Sequence, residues 1–240
     1  MTGTLHGVGV GPGDPELMTL RAHRLIAGAP AIAYPAPLTD AGLEPSFARG
    51  IAAAAIPPDA LEIPIPVPMR PERGPAQAAY DAAAETIAGH LTAGRDVVAL
   101  CEGDPLFYGS FMYLLARLSD RFPCEITPGV SSLAACAAAA RRPLCARDEN
   151  LRVISGAQPT DALRAELRSA DAAAILKVGR RLPRIRAEIE AAGLLERAVY
   201  VSHASLDRQI VTPLASAPVD APYFSMILIA GRDPFAERAG

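Results

Sequence analysis

Three glycines at alternate positions near the start of the chain follow a short apolar run and precede a helical pattern. They are Gly9, Gly11 and Gly13, and Pro12 stands between the last two. Because glycine lacks a Cβ and adopts positive φ, such a loop can turn sharply and pass close to a ligand. Asp14 is a good helix N-cap residue. The spacing therefore predicts a strand–loop–helix unit that either cradles a small molecule or forms a tight structural turn.

The glycine spacing differs from the dinucleotide-binding fingerprint, which requires G-x-G-x-x-G and a helix N-terminus free to receive a pyrophosphate. Here the spacing is G-x-G-x-G, and Pro12 removes one backbone N–H donor. Asp14 and Glu16 place negative charge where a phosphate would lie. The loop is therefore expected to tolerate a cationic ligand and to repel a phosphate.

Two further loops follow apolar segments of strand length and carry both glycine and polar residues. Glu102–Tyr108 follows the apolar run at 97–101, and Pro128–Ser132 follows a short strand at 125–127. Ligand loops of open α/β sheets lie at the carboxyl ends of the strands, so we expect the three loops to share one edge. Gly103 and Gly129 allow close backbone approach, while acceptors and hydroxyls come from Asp104, Ser131 and Ser132.

Helix and strand signals alternate along the 240-residue chain, in which 50% of residues are hydrophobic and 20% are charged. This composition supports a sizeable core, and the alternation is typical of α/β proteins with mainly parallel sheets. The pattern restarts after residues 141–143, which predicts two α/β domains at residues 1–142 and 147–240. Prolines recur between residues 35 and 75 and exclude long helices there, whereas residues 63–67 are predicted to form an edge strand.

Charge, hydropathy and cysteine spacing exclude several classes of function. A net charge of −3 gives no support for nucleic-acid binding. No apolar stretch approaches the ~20 residues that span a bilayer, and the first residues do not resemble a signal peptide, so we expect a cytoplasmic protein. The four cysteines are scattered, without a C-x-x-C pair or a nearby histidine pair. Neither a metal site nor a disulfide framework is therefore expected.

The three loops read V-G-V-G-P-G-D-P-E-L at residues 8–17, E-G-D-P-L-F-Y-G-S at 102–110 and T-P-G-V-S-S at 127–132. In this order they resemble the tetrapyrrole (corrin/porphyrin) methylase family, and the resemblance continues through Leu176–Gly179 and His203–Ser205. It implies a homodimer of two-domain α/β subunits, each binding S-adenosyl-L-methionine in a cleft between the domains, largely through backbone atoms. S-adenosyl-L-homocysteine is the product this implies.

The resemblance also implies cofactor contacts at individual positions. In the first half of the chain, the positions that match are Pro12, Glu102, Gly103, Asp104, Phe107, Ser131 and Ser132. In the second half, Val178, Ala204 and Met226 match positions that contact adenosine. Relatives often have methionine in place of Val178 and glycine in place of Ala204. No residue is assigned as a catalytic base.

The cofactor that the resemblance implies agrees with the first loop, because S-adenosylmethionine carries a positive sulfonium and no phosphate. Its methyl group is already activated, so in-line displacement requires alignment of the reactants rather than a covalent nucleophile. At residues 102–112 and 143–151 the resemblance implies methyl transfer to C20 of precorrin-2, or of its cobalt form (cobalt-factor II), in cobalamin biosynthesis. Methylation at C11 or C17 of later precorrins, methylation of uroporphyrinogen III, and a non-catalytic small-molecule-binding module are the alternatives.

The tetrapyrrole substrate carries peripheral carboxylates, so its site is expected to present positive charge although the whole protein is acidic. The basic residues near the loops or the domain junction are Arg141, Arg142, Arg147, Lys177, Arg180 and Arg181. Tyr108, directly after the second loop's G-D-P sequence, is a candidate for substrate contact. Each of these could equally be a surface or core residue without a role in binding.

Overall fold

The computed structural model describes residues 1–70 and 72–231, which fall into two compact units, one comprising Met1–Ser131 and the other beginning at Ser132. The strands of unit 1 are β1 (Leu5–Gly9), β2 (Ala31–Thr39), β3 (Gly42–Leu43), β4 (Leu61–Pro68), β5 (Val97–Cys101) and β6 (Cys124–Thr127). Its helices are α1 (Leu20–Ala27), α2 (Phe47–Ala52), α3 (Arg73–Thr92) and α4 (Phe111–Leu118).

The sheet of unit 1 is mostly parallel, as predicted, with the strand order β3-β2-β5-β1-β6 and with β4 paired to β2. Helices α1 and α2 pack on one face of this sheet, and α3 and α4 pack on the other. Alternate residues of β5 therefore enter different cores: Val98 and Leu100 lie in one, Val97, Ala99 and Cys101 in the other. A strand covered on both faces has to be apolar throughout, which explains the continuous apolar run in the sequence.

Prolines in β4 occupy every second position, and the direction of the backbone groups explains how a strand accommodates them. The N–H of Leu61 donates to the carbonyl of Pro30 at 3.1 Å, and the N–H of Met69 donates to the carbonyl of Leu38 at 3.2 Å. Since alternate N–H groups of a strand point to opposite edges, positions 64, 66 and 68 face the open edge. The prolines there remove no bond to β2, which confirms the predicted edge strand.

Unit 2 contains strands β7 (Leu151–Ser155), β8 (Ala172–Leu176), β9 (Ala198–Ser202), β10 (Ile210–Pro213) and β11 (Ser225–Ile229). Its helices are α5 (Ser132–Ala140), α6 (Thr160–Arg168) and α7 (Leu182–Ala191). The sheet order is β10-β9-β11-β8-β7.

The prediction of a mainly parallel sheet is wrong for unit 2. Strands β7 and β8 are parallel, but β11 is antiparallel to both β8 and β9, and β10 is antiparallel to β9. The reason lies in the connections, because parallel neighbours require a long crossover, usually a helix. The segments joining β9, β10 and β11 contain a single 3-10 turn at Leu214–Ser216 among the described residues, so the chain reverses direction instead.

The division between the units also differs from the domain boundary predicted at residues 143–146. Helix α5 packs against β9 and β11, so the second compact unit begins at Ser132. The sequence break after Arg141–Pro143 instead marks the end of this helix, where the chain leaves α5 and approaches β7. In the sequence alone, the residues that end a helix resemble those that separate two domains. The predicted domain boundary therefore falls at the end of α5, whereas the second unit begins at the start of this helix.

Candidate functional site

The three predicted loops meet at one edge of the unit 1 sheet. Strand β1 pairs in parallel with both β5 and β6, so the loops that follow these strands leave the sheet in the same direction. Gly11 and Gly103 exchange two backbone hydrogen bonds: the N–H of Gly103 donates to the carbonyl of Gly11 at 2.8 Å, and the reverse bond is 3.4 Å. The first and second loops are thus joined directly by their backbones.

Glycine is required where the three loops touch, because the backbones leave no room for a side chain. A Cβ on Gly9 would lie 2.5 Å from the carbonyl oxygen of Gly103 and 2.7 Å from the nitrogen of Gly129. A Cβ on Gly129 would overlap that same oxygen of Gly103. We call the contact of Gly9, Gly103 and Gly129 the loop junction.

The Asp104 carboxylate ties the second loop to the third. Its Oδ1 accepts the backbone N–H of Leu106 at 2.9 Å, within its own loop, and its Oδ2 accepts the N–H of Gly129 at 3.1 Å. The side chain therefore fixes the second loop internally and holds it against the loop junction. Asp104 thus acts on the backbone geometry of the second and third loops.

Glu102, which precedes the loop junction, turns its carboxyl toward helix α2. The backbone N–H groups of Glu102 itself and of Ala48, in the first turn of α2, lower the pKa of this carboxyl. Burial raises the pKa of the Glu102 carboxyl and outweighs these two groups. The Glu102 side chain therefore faces α2, which packs against β5.

The helical pattern that follows the first loop forms a 3-10 turn and then a separate helix, each with its own cap, rather than one continuous helix. Asp14 accepts the N–H of Glu16 at 2.9 Å and caps a 3-10 turn, Pro15–Leu17. Thr19 then caps α1 by accepting the N–H of Ala22 at 3.1 Å. The carboxylates of this segment remain at the loop edge as predicted.

The remaining candidates from the first half of the chain belong to the three loops. Pro12 and Ser131 are half-buried, and Ser132, the first residue of α5, is exposed. Phe107 is half-buried, and its ring packs edge-on against that of Tyr108, with centroids 5.3 Å apart. Tyr108 is exposed and has a φ of 56°, a left-handed conformation that is uncommon for a bulky residue.

The three candidates from the second half of the chain lie along one edge of the unit 2 sheet. Val178 and Ala204 follow the ends of β8 and β9, and both strands pair with β11, in which Met226 is the second residue. All three side chains are buried, and Val178 is 0% exposed within the unit 2 core. Neighbouring residues of unit 2 therefore cover Val178 completely.

The backbone at this edge of unit 2 is unusually rich in left-handed residues. Lys177, His203 and Ser205 have φ values of 57°, 50° and 68°. Such conformations cost of order 1–3 kcal/mol for non-glycine residues and cluster at functional sites. The side chain of Ser225 contributes one further contact, accepting the N–H of Gly179 at 3.4 Å.

A hydrogen-bonded cluster on the unit 1 side was not predicted from the sequence. The Glu62 carboxylate accepts the Tyr34 hydroxyl at 2.6 Å, and it accepts Nε and Nη2 of Arg49 at 3.0 Å and 2.8 Å. The three residues come from β2, α2 and β4, so no spacing in the sequence could have indicated that they meet.

Several of the basic candidates are exposed. These are Arg141, Arg142, Arg147, Lys177 and Arg180, while Arg181 is half-buried. Within residues 1–70 and 72–231, no group of three or more His, Cys, Asp or Glu side chains is placed to hold a metal ion. The same described residues include no helix of the length and apolar character needed to cross a membrane.

Residues 4–218 match the tetrapyrrole (corrin/porphyrin) methylases. The chain therefore belongs to the tetrapyrrole methylase family. It is 41% identical to the precorrin-2 C(20)-methyltransferase of a Sinorhizobium species, over 95% of this chain and 96% of that protein. It is 33% identical to the cobalt-precorrin-2 C(20)-methyltransferase of Salmonella typhimurium, over 99% of this chain and 100% of that protein.

Solved structures resemble the fold as well. The uroporphyrin-III C-methyl transferase of Thermus thermophilus, complexed with S-adenyl homocysteine, superposes with a TM-score of 0.68 at 26% identity. The match covers 94% of this chain and 97% of that one. The glycine loop junction and the carboxylates beside it fit S-adenosylmethionine, because Pro12 and Asp14 disfavour a phosphate while tolerating a cation.

Proposed function

We propose that this protein transfers a methyl group from S-adenosyl-L-methionine to C20 of precorrin-2 in cobalamin biosynthesis. The observation that carries the proposal is the 41% identity to a precorrin-2 C(20)-methyltransferase along nearly the entire length of both proteins. The likeness to the cobalt-precorrin-2 enzyme is lower, at 33%, so the metal-free tetrapyrrole is the proposed substrate. Uroporphyrinogen III is less favoured, since the Thermus thermophilus relative is 26% identical.

The residues proposed to bind the cofactor fall into two groups. In the first half of the chain they are Pro12, Glu102, Gly103, Asp104, Phe107, Ser131 and Ser132, and in the second half they are Val178, Ala204 and Met226. S-adenosylmethionine supplies the activated methyl group. The chain's own contribution is to hold the loop backbones in one geometry, through the loop junction and the Asp104 carboxylate, so that the reactants are aligned.

We further propose that the protein is a cytoplasmic homodimer. The family resemblance supports the dimer, and the absence of an apolar segment of bilayer length in the sequence supports the location. Light scattering should give twice the mass of one chain at micromolar concentration. Fractionation of cells that express the protein should recover it with cytoplasmic markers, and recovery with the envelope would contradict the proposed location.

The proposed reaction is tested by incubating the protein with precorrin-2 and methyl-labelled S-adenosylmethionine and then locating the new methyl carbon by NMR. We expect the label at C20, with a higher kcat/KM for precorrin-2 than for its cobalt form. A label at C11 or C17, or transfer only to uroporphyrinogen III, would contradict the proposed activity within the same family. Cofactor binding without transfer to any tetrapyrrole would favour a non-catalytic binding module.

A further inference from the structure

A ribbon of two paired strands and a hairpin extends past the carboxyl edge of the unit 1 sheet. Strand β5 pairs with β2 at Ile32 and Ala33, whereas β4 accompanies β2 as far as Leu38 and β3 pairs with it at Leu38 and Thr39. Along this length β4 pairs with one edge of β2. The opposite edge of β2 therefore pairs first with β5 and then, further along the strand, with β3. The hairpin therefore lies beyond the end of β5, where the second loop begins at Glu102. We call residues 34–44 and 64–70 the proline ribbon.

Two prolines of β2 explain why β5 stops pairing and the hairpin takes over its edge. The carbonyl of Pro37 accepts the N–H of Glu44 at 2.8 Å, so the odd-numbered residues of β2 direct their backbone groups toward the edge shared by β5 and β3. Pro35 and Pro37 thus remove N–H donors from that edge. The edge becomes free for the hairpin directly after Ala33.

The cluster of Tyr34, Arg49 and Glu62 lies where the proline ribbon leaves the sheet. Arg49 grips Glu62 with two hydrogen bonds of 2.8 Å and 3.0 Å, a bidentate arrangement that fixes orientation as well as distance. The Arg49 guanidinium and the Tyr34 hydroxyl hold the pKa of the Glu62 carboxyl at about 2. The cluster is therefore charged throughout the physiological pH range.

Helix α2 connects this cluster to the second loop. Arg49 binds Glu62, two residues before the second strand of the ribbon, while the N–H of the preceding residue, Ala48, lowers the pKa of the Glu102 carboxyl. Helix α2 also packs against β5, which leads into Glu102, so one helical turn contacts both the base of the ribbon and the start of a proposed cofactor loop. The placement of the ribbon relative to that loop depends on these two carboxyl groups.

We propose that Glu62 is a positioning residue that holds the proline ribbon, through Arg49 and Tyr34, as the surface on which the tetrapyrrole lies beside the second loop. The proposal rests on the proposed function. The ribbon exposes Leu38, Leu43 and Met69, together with Arg70, whose guanidinium lies 3.9 Å from Asp40. Apolar side chains next to an arginine suit a flat macrocycle with peripheral carboxylates.

The test compares Glu62→Gln with Glu188→Gln. Glu188 makes the same bidentate contact with Arg164, at 2.9 Å and 3.0 Å, between α6 and α7 of unit 2, so it controls for loss of an arginine–glutamate pair. In Glu62→Gln we expect the KM for precorrin-2 to rise about tenfold, as for the loss of one charge-assisted hydrogen bond. The Kd for S-adenosylhomocysteine should stay at the wild-type value. The control should leave both constants unchanged.

Two further measurements separate positioning from general destabilisation. Amide exchange at residues 38–44 should accelerate in Glu62→Gln and stay slow in Glu188→Gln, while exchange at 102–108 should match the wild type in both. Tyr34→Phe, which removes one hydrogen bond, should shift the KM for precorrin-2 in the same direction by a smaller factor.

An unchanged KM for precorrin-2 in Glu62→Gln would overturn the inference, whatever happened to the melting temperature. If the wild-type protein methylates no tetrapyrrole, the proposed function fails on its own, and no variant is needed to show it. Amide exchange then still decides the role of Glu62, because unaltered exchange at residues 38–44 would show that Glu62 does not hold the ribbon.

Discussion

At the scale of single residues, the acidic side chains of the second loop act mainly on the protein backbone. Asp104 accepts N–H groups from Leu106 and Gly129, and the Glu102 carboxyl faces α2, where the N–H of Ala48 lowers its pKa. Acidic residues beside a proposed site for a cationic cofactor would be expected to attract the positive charge of that cofactor directly. The observed bonds instead make these carboxylates the groups that set the shape of the cofactor loops, and any attraction to the sulfonium is an additional effect.

Asp104→Asn tests this interpretation. An amide offers one acceptor oxygen, so either Leu106 or Gly129 loses the acceptor of its N–H. An unsatisfied donor costs about 1–3 kcal/mol, so we expect the Kd for S-adenosylhomocysteine to rise roughly tenfold by calorimetry. Asp120→Asn, at an exposed position after α4, should leave this Kd unchanged. Equal affinity in the two variants would remove Asp104 from the site.

At the scale of elements, the loop junction depends on three backbones in direct contact. In Gly129→Ala the new Cβ would overlap the carbonyl oxygen of Gly103, so the second and third loops have to separate. We expect calorimetric binding of S-adenosylhomocysteine to be lost. Gly89→Ala is the control: Gly89 lies in α3 with nothing within 4 Å of its Cβ position, and alanine should stabilise the helix by about 0.5–1 kcal/mol. Wild-type affinity in Gly129→Ala would contradict a tightly packed junction.

Glu62 also joins three elements, β2, α2 and β4, and its pKa makes this connection dependent on pH. The pKa of its carboxyl is lowered from 4.5 to about 2 by Arg49 and Tyr34. A group whose pKa is lowered on folding contributes stability above its unfolded pKa and loses it as the pH falls toward the folded value. Urea unfolding should therefore show a smaller loss of stability between pH 7 and pH 3 in Glu62→Gln than in the wild type. Identical losses would contradict the lowered pKa.

Uniform burial made some of the elements predictable from the sequence. Strand β5 is covered on both faces and is apolar throughout, so its position was predictable. Strand β10 is four residues long and exposes Ile210 and Val211, so neither length nor alternation indicated it. The proposed cofactor loops could be located because their glycines recur after strands. The Tyr34–Arg49–Glu62 cluster could not, because side-chain contacts between distant segments depend on the register of β2 and β4.

At the scale of the whole molecule, an acidic protein is proposed to bind a substrate that carries several carboxylates. The net charge of −3 repels such a substrate at long range, whereas exposed arginines such as Arg141, Arg142 and Arg180 are proposed to attract it at contact distance. Salt screens the long-range repulsion between the net charge and the substrate more than it screens an arginine–carboxylate contact of a few ångströms. The attraction at contact therefore outweighs the repulsion. Substrate affinity should therefore depend on a few local basic residues rather than on overall charge.

This balance predicts how the kinetics respond to salt. Raising the ionic strength from about 0.1 M to about 1 M shortens the Debye length from about 10 Å to about 3 Å, which weakens exposed arginine–carboxylate contacts. We expect the KM for precorrin-2 to rise across this range while the KM for S-adenosylmethionine changes little, since the proposed cofactor contacts are backbone groups. An Arg141→Gln, Arg142→Gln double variant should show a shallower rise. A KM for precorrin-2 that is flat or falls with salt would mean that arginines do not hold its carboxylates and that repulsion by the acidic surface dominates.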